Sequence, residues 1–230
     1  MSARPHIKIC CIASLDEARL AIDAGAAALG LVSAMPSGPG VIDEATIAAV
    51  AAAVPREVQT FLLTAHTDAA AIVAQHRRCR TTTLQLVDAL APRELRDLRR
   101  AMPRVTLVQV VHVTGPTALD EALAVAPMVD ALLLDSGNPM LAVKQLGGTG
   151  RTHDWAVSRE IVQRAGVPVW LAGGLNAGNV AEAIASVRPH GLDLCNGVRD
   201  SEGRLDAGKL RAFFDAATQS PDEGLSRATV

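Results

Sequence analysis

Val167-Pro-Val-Trp-Leu-Ala-Gly-Gly-Leu-Asn176 is the stretch on which the fold is read. Val167 to Leu171 is short, apolar and rich in β-branched residues, the pattern of a buried strand. Gly173-Gly174 ends it. Asn176 is placed to cap a helix from about Ala177, with Val180, Ile184 and Val187 at helical spacing. A strand that stops in two glycines and enters a helix leaves backbone N–H groups pointing outward, where a phosphate can accept from them. A tight turn without a ligand is the other reading of a lone Gly-Gly pair.

The same strand-then-helix unit repeats along the chain. Strands are expected over 6–11, 27–32, 58–63, 82–87, 105–113, 129–135, 167–171 and 191–195. Helices are expected over 14–24, 43–55, 68–76, 92–101, 117–125, 155–165, from 177, and over 207–217. Ser14 with Glu17 three residues on is a capping-box pattern, and Asp43 is a second helix cap. Strict alternation argues for a parallel sheet. Eight repeats in 230 residues argue for closure into a single α/β eight-stranded parallel (β/α)8 TIM barrel of the phosphate-binding type. An open sheet would need edges, and the first and last strands are too apolar for that. The barrel domain is expected over 1–219 and a flexible, polar, aperiodic tail over 220–230.

Composition agrees with a barrel core of Ala, Val, Leu and Ile: 49% of residues are hydrophobic and only 2% aromatic. A net charge of −2 and the scarcity of aromatics argue against a nucleic-acid partner. Arginines gather at 77, 78 and 80 and at 96, 99, 100 and 104, where they suit the ends of helices. The four cysteines, Cys10, Cys11, Cys79 and Cys195, lack C-x-x-C or Cys/His ligand spacing, so no metal site is expected. Cys10 and Cys11, adjacent on a strand, are expected to point to opposite faces. No apolar run is long enough to span a bilayer and no leader pattern is evident. The expectation is a cytoplasmic protein with free thiols and no membrane partner, monomeric or homodimeric.

In such a barrel the chemistry gathers where the strands end. That places Cys10 and Cys11, Gln85, Asp135, Gly173 and Gly174, and Asn196 and Gly197 at one mouth, with the Gly-rich run Gly147-Gly148-Thr149-Gly150 beside it. Glycines after the seventh and eighth strands stand where barrels of this class often hold phosphate. Asp135 closes an apolar strand, and burial would raise its pKa and keep a proton available near neutral pH. Structural pairing is the other role for such a carboxylate. Cys10 is either a small hydrophobe or a base whose pKa the nearby Lys8 lowers. An acid and a base over an anchored phosphate suit proton transfer on a sugar phosphate.

Lys8-Ile9-Cys10, Gln85-Leu86, Leu134-Asp135, the run from Gly147 through Arg151 to His153-Asp154-Trp155, Leu171-Ala172-Gly173-Gly174-Leu175, and Asn196-Gly197-Val198 occur in this order. From Lys8 to Phe214 the chain resembles the phosphoribosylanthranilate isomerases of tryptophan biosynthesis. The resemblance implies an Amadori rearrangement of a phosphoribosyl-amine, with no metal or organic cofactor. Asp135 would be the acid that protonates the ring oxygen, and Cys10 the thiolate base that takes the C2′ proton. The phosphate would lie on Gly173, Gly174, Asn196 and Gly197. Lys8, Gln85, Gly147, Gly148, Thr149, Gly150 and Arg151 would lie around the substrate. The alternatives are a barrel acting on another phosphorylated sugar or phosphoribosyl-amine, and a non-catalytic binder of such ligands.

The chain departs from the family pattern at four places. Gly40 stands where the family has an Arg that pairs with the anthranilate carboxylate. Val87-Asp88 replaces His-Gly, and Cys10-Cys11 replaces Cys-Gly. Cys195-Asn196-Gly197-Val198-Arg199 replaces Ser-Ser-Gly-Val-Glu. Two accounts follow: another cation, Arg199 or Arg151, takes the carboxylate, or the substrate lacks one.

Overall fold

The computed structural model describes residues 4–36, 38–137 and 152–218. The run 147–151 and the tail 220–230, both singled out from the sequence, lie outside the described residues. Eight parallel strands close into a barrel in chain order. They are β1 (His6–Ile9), β2 (Ala28–Val32), β3 (Gln59–Thr64), β4 (Thr83–Leu86), β5 (Thr106–His112), β6 (Ala131–Asp135), β7 (Val169–Leu171) and β8 (Gly191–Leu194). The helices between them are α1 (Leu15–Asp23), α2 (Glu44–Ala53), α3 (Ala69–Cys79), α4 (Pro92–Ala101), α5 (Ala118–Val125), α6 (Trp155–Arg164), α7 (Val180–Val187) and α8 (Ala207–Thr218). No helix among the described residues is long and apolar enough to cross a membrane.

Strand side chains alternate between two apolar layers. Outward residues such as Ile7, Ile9, Leu29, Leu31, Leu62, Leu84 and Leu134 pack under the helices. Inward residues form a smaller core that includes Ala28, Val32, Phe61, Val108, Leu133 and Trp170. The Trp170 ring meets Phe61 edge-on at 5.5 Å and His190 at 5.7 Å between centroids. Ser14 and Asp43 cap their helices as expected, and Asp68 and Asp154 do the same: each accepts a backbone N–H of the first turn. Glu17 completes the Ser14 box one residue early, taking the N–H of Ala13 at 2.9 Å. Two arginines at helix ends find carboxylates, Arg78 on Glu44 and Arg99 on Asp130.

Three local expectations are corrected. β1 ends at Ile9 rather than at Cys11, because Cys11 has φ 63° and leaves the extended strand. Its side chain therefore does not oppose that of Cys10 across the sheet; both line the same cavity. α3 runs three residues further than expected, to Cys79, where Arg80 ends it in the left-handed region. α7 starts at Val180, and Asn176 does not cap it. Asn176 instead accepts the Gly178 N–H at 2.8 Å, and its own N–H goes to Asn179 Oδ1 at 2.9 Å, a compact Asn-bridged turn.

Gly191 tests how tightly the lower barrel is packed. A Cβ there would stand 2.4 Å from the Trp170 ring, which Phe61 and His190 hold in place. Gly191→Ala is expected to cost about 1–3 kcal/mol, read as a lower urea midpoint at unchanged slope.

Candidate active site

Beneath the mouth, β1 and β8 meet through a fully buried ion pair, Lys8 Nζ to Asp193 Oδ2 at 2.8 Å. Burial opposes the Lys8 charge, but Asp193, with the nearby Cys10, more than offsets it, so the ammonium is held above its ordinary range. The Phe61 ring lies 5.0 Å below the same nitrogen. Lys8 is thus part of the barrel floor and is absent from the cavity lining, a correction to its expected place beside the substrate.

Above this floor is a cavity of about 260 Å³. It brings together Cys10, Gln85, Asp135, Gly173, Gly174, Asn196 and Gly197, from the ends of five different strands. Met35, Gly38, Pro39, Val32 and Leu63 supply an apolar wall on the side of β2 and β3. Asp135 ends β6 and is buried. Burial pushes its carboxyl up, against the Ser136 N–H that donates to Oδ1 at 2.7 Å and the nearby His112. Cys10 directly follows β1, and its N–H donates to Leu194 O at 2.9 Å. β7 and β8 separate the two groups around the ring, so they face each other over the mouth.

The two glycine joints meet backbone to backbone. A Cβ on Gly197 would stand 2.1 Å from Leu175 O, so only glycine permits this approach. Gly173 and Gly174 have φ of 87° and 63°. The side-chain amides of Asn176 and Asn179 both donate to Gly174 O, at 3.2 and 3.0 Å. Among the described residues, the N–H groups of Gly173, Gly174 and Gly197 have no hydrogen-bond partner. Gln85 Oε1 and Asp193 Oδ1 are likewise buried acceptors without a donor. Of the Gly-rich run, only its end is described: His153 Nε2 contacts Ser158 Oγ at 2.7 Å, and Asp154 caps α6. Gly147, Gly148, Thr149, Gly150 and Arg151 lie outside the described residues.

Three further residues shape the site: Gly30, which escaped a functional reading from sequence, and Gly40 and Arg199, whose roles differ from the ones read there. Gly30, inside β2, faces Cys10 and Lys8; a Cβ would stand 2.7 Å from Cys10 Sγ and 3.1 Å from Lys8 Nζ. A glycine inside an apolar strand is a signal for such close approach. Gly40, with φ 75°, lies against Cys11, whose Cβ would be 2.4 Å from an added one. Arg199 is buried and already engaged. Its Nη2 donates to Cys10 O at 3.1 Å and to Cys11 O, and its Nη1 to Glu17 Oε1 at 3.0 Å and Gly203 O at 2.8 Å. Arg199 therefore does not meet a ligand in the cavity, and the replacement-cation account rests on Arg151.

A closed barrel with a thiol, a buried carboxyl and bare amides over one mouth defines an enzyme of the (β/α)8 class. Residues 7–216 match the family profile described as N-(5'-phosphoribosyl)anthranilate (PRA) isomerase, and the chain belongs to that family. It is 34% identical over 213 residues to N-(5'-phosphoribosyl)anthranilate isomerase 2 of Methanosarcina mazei, covering 92% of this chain and 93% of the relative. To the isomerase of Halorubrum lacusprofundi it is 37% identical over 209 residues, 90% and 94% of the two chains. The crystal structure of the Thermus thermophilus phosphoribosyl anthranilate isomerase superposes with a TM-score of 0.77 at 28% identity, covering 92% and 97%.

The Arg199 clamp has a measurable cost of removal. Arg199→Ala strands a half-buried Glu17 and three carbonyls and is expected to cost about 3 kcal/mol by urea unfolding, partly recovered in Arg199→Lys. Glu17 is also pH-dependent. Burial would raise its pKa, but Arg199 and the N–H groups of Ala13 and Leu205 outweigh that and lower it. Its contribution is thus present above the ordinary Glu range and is lost as pH falls through the lowered value. Glu17→Gln should flatten that part of the acid unfolding curve.

Proposed function

We propose that this chain converts N-(5'-phosphoribosyl)anthranilate to the 1-deoxyribulose 5-phosphate aminoketose, an aldose-to-ketose isomerisation of tryptophan biosynthesis, with Cys10 and Asp135 as its two proton-transfer groups. Family membership supports the reaction, and one observation carries the assignment of roles. A carboxyl whose pKa burial raises lines the same cavity as a thiol and the bare glycine amides. Asp135 Oδ1 is engaged by Ser136, which leaves Oδ2 to deliver the proton to the furanose ring oxygen. Ring opening gives a Schiff base. Cys10, as thiolate, then removes the C2′ proton, and the enolamine tautomerises to the ketone. Both transfers need only positioned groups and an anchored substrate.

The anchor in this reading is the phosphate, accepting from the N–H groups of Gly173, Gly174 and Gly197, with Asn196 beside them. Gln85 Oε1 and Asp193 Oδ1 then accept from sugar hydroxyls, which supplies the donors these buried oxygens lack. The apolar wall of Val32, Met35, Pro39 and Leu63 takes the aromatic ring. The resemblance assigns further substrate contacts to Gly147, Gly148, Thr149 and Gly150, outside the described residues, and this reading gives the carboxylate to Arg151. The partner is thus a small phosphorylated molecule, and the site is complete within one chain. The cytoplasm is the compartment this reading assigns.

Turnover is followed as the loss of anthranilate-type fluorescence from phosphoribosylanthranilate. Cys10→Ala and Asp135→Ala should each lower kcat by at least about 10²–10⁴-fold while the fold is kept; turnover near the wild-type level in either would overturn the assignment. Because Asp135 acts as an acid, kcat should fall as pH rises through its raised pKa. Arg151→Ala should raise KM about tenfold or more with kcat little changed, and a phosphoribosyl-amine without the carboxylate should not discriminate between the two proteins.

A further inference from the structure

Cys10 accounts for only one of three thiols at the mouth. Cys11 and Cys195 line the same cavity and have no part in the proton transfers. Ile9 and Leu194 are register partners on neighbouring parallel strands, and Cys10 N–H donates to Leu194 O. The residues that follow, on the loops after β1 and β8, therefore start about 5 Å apart. Cys11 turns at φ 63° where β1 ends and lines the same cavity as Cys10 and Cys195. Gly40 makes room for that turn, since a Cβ there would collide with Cys11.

The three thiols are electrostatically unlike. The neighbouring thiols of Cys10 and Cys195, and then burial, push Cys11 well above the ordinary thiol range. The neighbouring Cys11 thiol and the Arg199 charge together outweigh burial and lower the pKa of Cys195. It is also the most accessible of the three, half-buried where Cys10 and Cys11 are buried. A low-pKa, accessible thiol beside a second thiol is the arrangement that hydroperoxides oxidise reversibly.

We propose that Cys195 and Cys11 form a reversible oxidation site, in which a hydroperoxide converts them to a disulfide linking the loops after β1 and β8. The Cys195 thiolate attacks a peroxide oxygen, the O–O bond breaks, and hydroxide leaves and is protonated to water. The Cys195 sulfenic acid is then attacked by the Cys11 sulfur, which gives up its proton. An S–S bond forms and the sulfenic oxygen leaves as a second water. Two thiols are oxidised by two electrons, and one hydrogen peroxide is reduced to two waters. The disulfide takes the Cys11 thiol out of the cavity it shares with Cys10 and ties the loop carrying Asn196 and Gly197 to the loop carrying the base. Loss of isomerisation follows from this and rests on the function proposed above; formation of the disulfide does not.

The test treats the full-length protein with stoichiometric hydrogen peroxide and maps peptides without reduction. The expected product has lost two hydrogens in mass, holds Cys11 joined to Cys195, and leaves Cys79 free to alkylate. Turnover should be lost with the same time course and return with dithiothreitol. Cys11→Ser should stop at Cys195 sulfenic or sulfinic acid with no cross-link, and Cys79→Ser should cross-link as the wild type does. Peroxide that leaves Cys11 and Cys195 alkylatable, or that joins either to Cys10, overturns the site. A mapped Cys11–Cys195 disulfide with turnover unchanged overturns the control of activity. A cross-link in a protein that never turns over phosphoribosylanthranilate sustains the site and removes the isomerase reading instead.

Discussion

The barrel is held shut by a charge that has nowhere else to go. Lys8 points into the interior from the first strand, and among the described residues the carboxylate it pairs with is Asp193 on the last. Removing either partner would leave an isolated ion in a low-dielectric core, a larger cost than any single apolar contact in the molecule. The pair therefore fixes β1 against β8, the one junction that no strand–helix–strand crossover connects. Everything that ends those strands inherits this placement: Cys10 and Cys11 on one side, Cys195, Asn196 and Gly197 on the other.

A second device fixes the same junction from outside. Arg199 reaches back from the β8 loop to the carbonyls of Cys10 and Cys11, and Glu17 of the first helix neutralises it. Glu17 also takes the N–H of Leu205, and Lys209 donates to Arg199 O at 2.6 Å, so α1, the β8 loop and α8 share one polar cluster. The departures from the family pattern belong together in this light. A cysteine after Cys10 needs the space that Gly40 leaves, and its carbonyl meets the arginine that stands in place of the family's Glu.

The architecture was legible in the residues because barrels are written in local signals. Apolar runs followed by helical patterns recur eight times, four of the helices open on a Ser or Asp cap, and each signal is read without knowing its partner. The mouth was legible in part for the same reason: Gly173, Gly174, Gly197 and Asp135 follow strands whose ends were recognisable. What could not be read depends on contacts distant along the chain. Cys11 leaves the strand because the backbone turns to φ 63°, which alternation alone does not reveal. Arg199 reads as a free cation until the Cys10 and Cys11 carbonyls, 188 or more positions earlier, are placed beside it. Asn176 reads as a cap because it precedes a helix, yet Asn179 takes its N–H and delays the helix to Val180.

The indole of Trp170 gives the molecule a direction. With Phe61 on one side and His6 and His190 near its other edges, it fills the end of the barrel away from the cavity. There is then no passage along the axis, and whatever enters between the strand ends must depart by the same opening. Reactant and released compound compete for one doorway, so a cycle cannot begin until the previous occupant has cleared it.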